Sequence, residues 1–373
     1  MPTSTTWLLP DGIDEAGPRA AAEIEHLRRV CLDRMRTFGY QMVIPPMVEF
    51  VDSLLTGVGR DLGLQTLKVT DQLSGRQLGI RADMTPQAAR MDARTGEGIN
   101  RLCYCGSTLK ARPQKLGDSR APIQIGAELF GHDGLGADLE ILSLLLDLTD
   151  ALGLPRLTLD VGHVDLYRLA IATVAADQTG EAERALAQKD SSQLAELALE
   201  PSVEASLLRL MHTQGGPDCL DALRDAFPGA DDALDQCQTL AGALAGRVNL
   251  HFDFAEGRGS HYHTGLVFAL YAPDEAAPLA QGGRYDAAGE AFGTRRAATG
   301  FSADLRLWQS HAKLGLAAPM PITAPNLEDP SLTEAIAALR MQGEIVITDF
   351  DGTATCTRRL RKTGTQWTIE NAQ

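Results

Sequence analysis

The chain has 373 residues, of which 44% are hydrophobic and 22% charged, with a formal net charge of −15. That length supports two or three domains around a large core, and no apolar run approaches the ~20 residues that span a bilayer. The acidic balance disfavours a nucleic-acid surface, which rests on clustered Lys and Arg.

Residues 1–10 lack a basic stretch followed by an apolar one, so no secretory signal and a cytoplasmic location are expected. Ala22, Ile24, Leu27, Val30, Cys31 and Met35 recur at helical spacing and predict a helix over 18–38, stopped by Gly39. A strand over 41–44 runs into Pro45-Pro46, which cannot extend a sheet ladder. Residues 66–81 read as a hairpin turning at Ser74-Gly75. Thr85-Pro86 opens a second helix to about 94. Strands over 102–107 and 123–131 are joined by a polar loop. An apolar helix covers 138–152 and a strand 157–161. From 166 to 246 Ala, Leu, Glu, Asp and Gln dominate, punctuated by Pro201, Gly215-Gly216-Pro217 and Pro228-Gly229, which predicts several short helices.

Strand character returns over 248–254, 266–271 and 297–302. Pro319, Pro321, Pro325 and Pro330 mark a linker. Ser331-Leu332-Thr333-Glu334 then reads as a capping box opening a helix that Gly343 closes. Strands over 344–348, 354–359 and 366–370 follow, with turns at Asp351-Gly352 and Thr363-Gly364. The expected organisation is an α+β core over 1–165 and 247–318, a helical insertion over 166–246, and a linker with a small α/β appendage over 319–373. The one compact basic run, Arg358-Arg359-Leu360-Arg361-Lys362, is explained equally well by a solvated strand edge. The six cysteines, Cys31, Cys103, Cys105, Cys219, Cys237 and Cys356, are too sparse for a disulfide scaffold and lack the paired spacings of a zinc site. Cys103 and Cys105 fall on one strand face and are expected to be buried thiols.

Four segments place polar residues in otherwise apolar surroundings, where burial is costly unless something bonds to them. In Arg81-Ala82-Asp83-Met84-Thr85-Pro86, Asp83 and Thr85 precede a helix and read either as a cap with its neighbour or as a grip on an ammonium group. In the strand Gln124 to Gly131, Gln124, Gly126 and Glu128 share one face, either a ligand site or a solvated face. In Glu256 to Gly265, glycines around Arg258 allow close approach to an anion. His261 and His263 have no evident third ligand, so no metal is expected. The fourth segment, Gln281-Gly282-Gly283-Arg284-Tyr285-Asp286, reads as a Gly-Gly turn with a charged pair.

Together and in this order, these segments resemble the class II aminoacyl-tRNA synthetases, histidyl-tRNA synthetase above all, over about residues 10–307. That resemblance implies an antiparallel sheet flanked by helices. Residues 39–46 resemble the family's first motif, which builds a homodimer interface. Residues 102–131 resemble the second motif, with Arg112-Pro113-Gln114 in its loop. Arg258 to Phe268 is similar to the histidine-specific segment, and residues 300–307 occupy the third motif. The departures matter. Synthetases carry Arg-x-Glu in the second motif, where this chain has Leu109-Lys110-Ala111-Arg112, and Lys is a poor replacement for a bidentate phosphate fork. The third-motif Arg falls on Leu307, and Asp304 adds a charge that repels phosphate. Losing such cationic anchors costs about 2–4 kcal/mol of transition-state binding each.

The resemblance carries a histidine-binding set over to this chain: Asp83 and Thr85 for the amino group, Gln124 and Glu128 nearby, Arg258 for the carboxylate, and Tyr262 and Tyr285 walling the imidazole. Arg112 and His263 complete it. A histidine-binding core without ATP or tRNA machinery is similar to the regulatory subunits of ATP phosphoribosyltransferase. This resemblance implies no catalysis by the chain itself, no cofactor, and no binding to nucleic acid or membrane. It implies a short-form catalytic subunit as partner in a hetero-octamer of four plus four, and activation and feedback inhibition by L-histidine. The alternative is a divergent active histidyl-tRNA synthetase.

Overall fold

Pro18 occupies the first turn of a helix, where its missing N–H costs nothing, and the helix runs Pro18–Thr37. Ile24, Leu27, Cys31 and Met35 form its single buried stripe, and Gly39 follows with φ 85°. The computed structural model describes residues 8–56, 60–113, 119–154, 156–257, 262–287, 290–315, 320–354 and 356–371. It divides into two units, 1–314 and 315–373.

The first unit is built on an eight-stranded sheet. Its spatial order is Gln41–Met42, Asn100–Ser107, Ile123–Phe130, Ala298–Asp304, Ala280–Arg284, Leu266–Tyr271, Thr158–His163 and Asn249–Phe252. The six inner strands pair antiparallel, and each edge strand pairs parallel with its neighbour. A three-stranded sheet holds the expected hairpin, Leu67–Thr70 and Gln77–Ile80, together with Val48–Phe50. The hairpin turn has Gly75 at φ 71°, and Asp71 accepts the Leu73 and Ser74 backbone N–H groups. The helix Leu135–Ala151 buries Ile141, Leu142, Leu144, Leu145 and Leu148 against the sheet.

The helices between Val164 and Leu244 do not make a core of their own. Leu186, Leu194, Leu207, Leu210, Leu223 and Leu234 belong to the same apolar cluster as Leu27, Ile141 and Phe301. No helix among the described residues is long and apolar enough to cross a membrane.

Several expectations need correction. The strand over 41–44 is only Gln41–Met42, because Pro45-Pro46 ends the pairing early. Gln281-Gly282-Gly283-Arg284 is not a turn but part of the strand Ala280–Arg284, which has strand neighbours on both sides. In the second unit, Ile322–Pro325 is a central strand where a linker was expected. The following helix, Pro330–Met341, is capped by Asp329, whose carboxylate accepts Ser331 N–H at 2.8 Å; Ser331 is therefore inside the helix, not at its cap. The strand expected over 354–359 is Arg358–Thr363. Three of the four cations in its basic run are paired: Arg358 with Glu344, Arg361 with Glu370 and Lys362 with Asp329. Ile322, Ala324, Leu332, Val346 and Leu360 form this unit's own small core.

Candidate functional site

Three neighbouring strands meet at positions that lack side chains. Gly300 lies opposite Glu128 on one side and Gly283 on the other, and Gly126 lies opposite Ser302 and Tyr104. A Cβ on Gly300 would collide with the Glu128 carboxylate, and one on Gly282 with the Gly300 carbonyl. The missing side chains leave a hollow over the sheet, a cavity of ≈ 400 Å³ lined by Asp83, Thr85, Glu128, Tyr262, His263 and Tyr285 among others.

A hydrogen-bonded chain organises its polar side. The Tyr104 hydroxyl donates to Glu128 Oε1 at 2.8 Å and lies 2.9 Å from Thr85 Oγ1, which donates to it in turn. The Tyr285 hydroxyl donates to Glu128 Oε2. Gln124 donates to Asp83 Oδ1 at 2.6 Å and accepts the Met84 N–H at 2.9 Å. Asp83 Oδ1 also accepts Thr85 N–H at 3.0 Å, so the local helix-start contact and the cavity position belong to the same residue. The Tyr262 and Tyr285 rings stack 5.2 Å apart, and His263 meets the Tyr262 ring edge-on at 5.3 Å. The Tyr262 hydroxyl and His263 Nδ1 are buried without a hydrogen-bond partner. A ligand that supplies both would remove that penalty.

Burial sets the charge states. It pushes the Glu128 carboxyl up to about 8, aided by the neighbouring Asp83 charge and opposed by the two tyrosine donors. Burial pushes the Tyr104, Tyr262 and Tyr285 phenols well above their ordinary value. It pulls His263 down to about 4, with the Arg168 charge acting in the same direction, so that imidazole is neutral at physiological pH.

A second cavity, ≈ 730 Å³, adjoins the first and shares Asp83, Gln281 and Ser302 with it. Lys110, Arg306, Thr108 and Asp304 line it. Asp304 accepts Ile123 N–H and Arg306 N–H, both at 3.0 Å, and so caps the helix Leu305–His311. Burial raises its carboxyl, while the Arg306 and Lys110 charges pull it back down.

Of the residues expected in the site, Asp83, Thr85, Glu128, Tyr262, His263 and Tyr285 come together in the first cavity. Gln124 lines only the second and reaches the first through Asp83. Arg112 is exposed and lines neither. Arg258 and His261 lie outside the described residues, within which no cluster of three metal-ligating side chains forms. Arg284 does not face the cavity. It holds Asp138 at 2.7 Å and the His132 and Gly134 carbonyls at 3.1 Å, fixing the strand that presents Tyr285. Tyr104, wholly buried between Thr85 and Glu128, was missed. Its place next to Glu128 depends on the pairing of Tyr104 with Gly126, a register that alternation alone does not supply.

Residues 12–307 match the family model described as histidyl-tRNA synthetase, and residues 319–370 match the ATP phosphoribosyltransferase subunit HisZ C-terminal domain. An ATP phosphoribosyltransferase regulatory subunit of Stutzerimonas stutzeri is 45% identical, with 99% of each chain covered. Another, of Thioalkalivibrio sulfidiphilus, is 44% identical at the same coverage. The chain belongs to the family of ATP phosphoribosyltransferase regulatory subunits. The fold agrees. A solved structure from Bacillus halodurans, described as an ATP phosphoribosyltransferase regulatory subunit/histidyl-tRNA synthetase, superposes with a TM-score of 0.82 at 23% identity, covering 95% of this chain and 96% of that one. In this regulatory subunit the synthetase-like core holds an acidic, aromatic recess, and the recess beside it is lined by Asp304 and Leu307 together with Lys110 and Arg306.

Proposed function

We propose that this regulatory subunit binds L-histidine in the first cavity and passes that occupancy to a short-form ATP phosphoribosyltransferase catalytic subunit, without chemistry of its own. The observation that carries the reading is the contrast between the two recesses. The first offers the Asp83 carboxylate, the Thr85 hydroxyl and two unsatisfied ring-side groups on Tyr262 and His263. These suit an ammonium group and an imidazole. Arg258 is assigned the ligand carboxylate. The second recess carries Asp304 and Leu307 where the synthetase pattern has its phosphate-binding cation, and adenylation requires positive charge at the developing phosphate centre.

The assembly consistent with this role is a cytoplasmic hetero-octamer of four regulatory and four catalytic chains, with the regulatory chains paired through the 39–46 region. The complex transfers the phosphoribosyl group to ATP. Feedback inhibition then follows from linkage: histidine inhibits if it binds one state of the complex better than the other, with a coupling of about 1–3 kcal/mol.

The test is calorimetric titration of the full chain with L-histidine, followed by inhibition of the reconstituted complex. Histidine binds with one site per chain, and Asp83→Ala and Arg258→Ala each weaken binding and inhibition at least tenfold. Unchanged inhibition in both variants removes the site assignment. Histidine-dependent exchange of pyrophosphate into ATP by the purified chain would replace it with the active-synthetase reading.

A further inference from the structure

The segment that brings Tyr262 and His263 to the first cavity is gripped from two sides. On the sheet side, Thr264 N–H donates to the Arg284 carbonyl at 2.8 Å, and the Thr264 hydroxyl donates to Asp286 Oδ2 at 3.0 Å. On the other side stands the first helix of the insertion, Val164–Ile171. The strand Thr158–His163 pairs with Leu266–Tyr271 and sets His163 opposite Leu266. The His163 ring accepts Asp165 N–H and caps the helix there. The helix thus starts against the binding segment, and Val164 N–H donates to the Gly265 carbonyl at 3.0 Å.

One turn further along the same helix face, Arg168 donates to the His263 carbonyl at 3.0 Å. Hydrogen bonds from a charged donor are the strong ones. What this bond fixes is the His263 ring. The ring meets Tyr262 edge-on and runs close to Gly283, where a Cβ would come within 2.9 Å of His263 Cδ2. Its Nδ1 is buried and has no partner, so the direction in which it points decides what it can offer a ligand.

Arg168 does not line the cavity. Its side chain is 47% exposed and lies 3.8 Å from Asp165. Contacts at that exposure add little to folding stability. The inner face of the same helix is different: Leu166, Tyr167 and Ala170 are buried in one apolar cluster with Leu186, Leu207 and Leu210 of the insertion. The helix is therefore anchored in the insertion and reaches the cavity through one side chain.

We propose that Arg168 is a positioning residue for the ligand of the first cavity, through which the helical insertion holds the His263 ring in its binding geometry. The proposal rests on the histidine reading of that cavity. Arg168 acts on a backbone carbonyl and leaves the ligand contact to His263.

Three measurements on the full chain and its Arg168→Met variant decide it: calorimetric titration with L-histidine, urea unfolding, and the ring carbon–proton resonance of His263 in histidine-labelled protein, assigned by its loss in His263→Phe. Arg168→Met weakens histidine binding by about fivefold or more, leaves the urea midpoint unchanged and moves the His263 resonance in the free chain. A variant that binds histidine like the parent overturns the proposal and leaves the histidine reading intact. An unmoved His263 resonance does the same, as does a loss of affinity that follows a lowered urea midpoint. If the parent chain binds no histidine, the reading and the proposal fall together.

Discussion

Glu128 is 1% exposed and takes hydroxyl donors on both oxygens, yet burial still pushes its carboxyl up to about 8. The sign of the consequence is fixed. The unfolded carboxyl ionises near 4.5, so between there and about 8 the unfolded state releases a proton that the folded state keeps. The folded chain therefore loses stability as pH rises through that window, by about 1.4 kcal/mol per pH unit at most. Glu128→Gln removes the titration while keeping one acceptor. Measured by urea unfolding, the stability of the variant relative to the parent should rise by at least about 2 kcal/mol from about pH 5.5 to about pH 8; a constant difference would show that the carboxyl is ionised throughout. Glu128 was legible in the sequence only as part of a polar face with Gly126 and Gln124, either a ligand site or a solvated face, and its burial excludes the solvated one. Arg112 was legible only by motif position, and the fold leaves it exposed. Loop position follows backbone path, which local pattern does not encode.

At the scale of elements, the least expected feature is the strand Ala280–Arg284. Consecutive glycines argue for a turn when read locally, since Gly weakens a strand and favours positive φ. Gly283 does sit at φ 153°. The strand persists because it is bonded on both sides, and its glycines let the Gly300 and Leu266 carbonyls of the neighbouring strands approach. The same misreading applied to the second unit, where the prolines at 321 and 325 bracket a strand. What holds the glycine strand to the helix Leu135–Ala151 is the pair Arg284–Asp138, with side chains 7% and 2% exposed. Burial raises the Asp138 carboxyl and the Arg284 charge counters it. Removing one partner of such a pair strands the other. Arg284→Met should lower the unfolding free energy by about 3–5 kcal/mol. Adding Asp138→Leu should recover most of that loss, because the carboxylate then no longer needs a partner. Equilibrium denaturation of the single and double variants reads both numbers, and a double variant no better than the single would locate the loss in packing rather than charge. The helices Pro18–Thr37 and Thr85–Thr95 were legible almost to the residue because a proline in the first turn marks where each begins.

At the scale of the whole molecule, the family resemblance was legible because its motifs lie far apart in the chain and the sheet brings them together. The sharing of one apolar cluster by the sheet and the helices of 164–244 was not. Composition marks a change of secondary structure, not a boundary of packing. The proposed pairing of regulatory chains would cover one apolar feature of the surface. Met42, Ile44, Met47 and Val48 are 43%, 80%, 45% and 43% exposed within one short stretch beside the edge strand Gln41–Met42. Contiguous exposed apolar side chains of this kind mark association surfaces, and the stretch overlaps the 39–46 segment assigned to the homodimer. Burying Ile44 and Met47 against a second copy contributes about 1.5–3 kcal/mol per side chain, and each contact occurs twice in a two-fold interface. Ile44→Glu with Met47→Glu should therefore raise the dimer dissociation constant more than 100-fold and give a monomer by sedimentation velocity. The substitutions lie on exposed positions, so the intrinsic stability of the monomer should change by less than about 0.5 kcal/mol. Its melting temperature should also lose the concentration dependence that a dimer shows. A double variant that still sediments as a dimer would place the interface elsewhere and leave this apolar stretch for the catalytic partner.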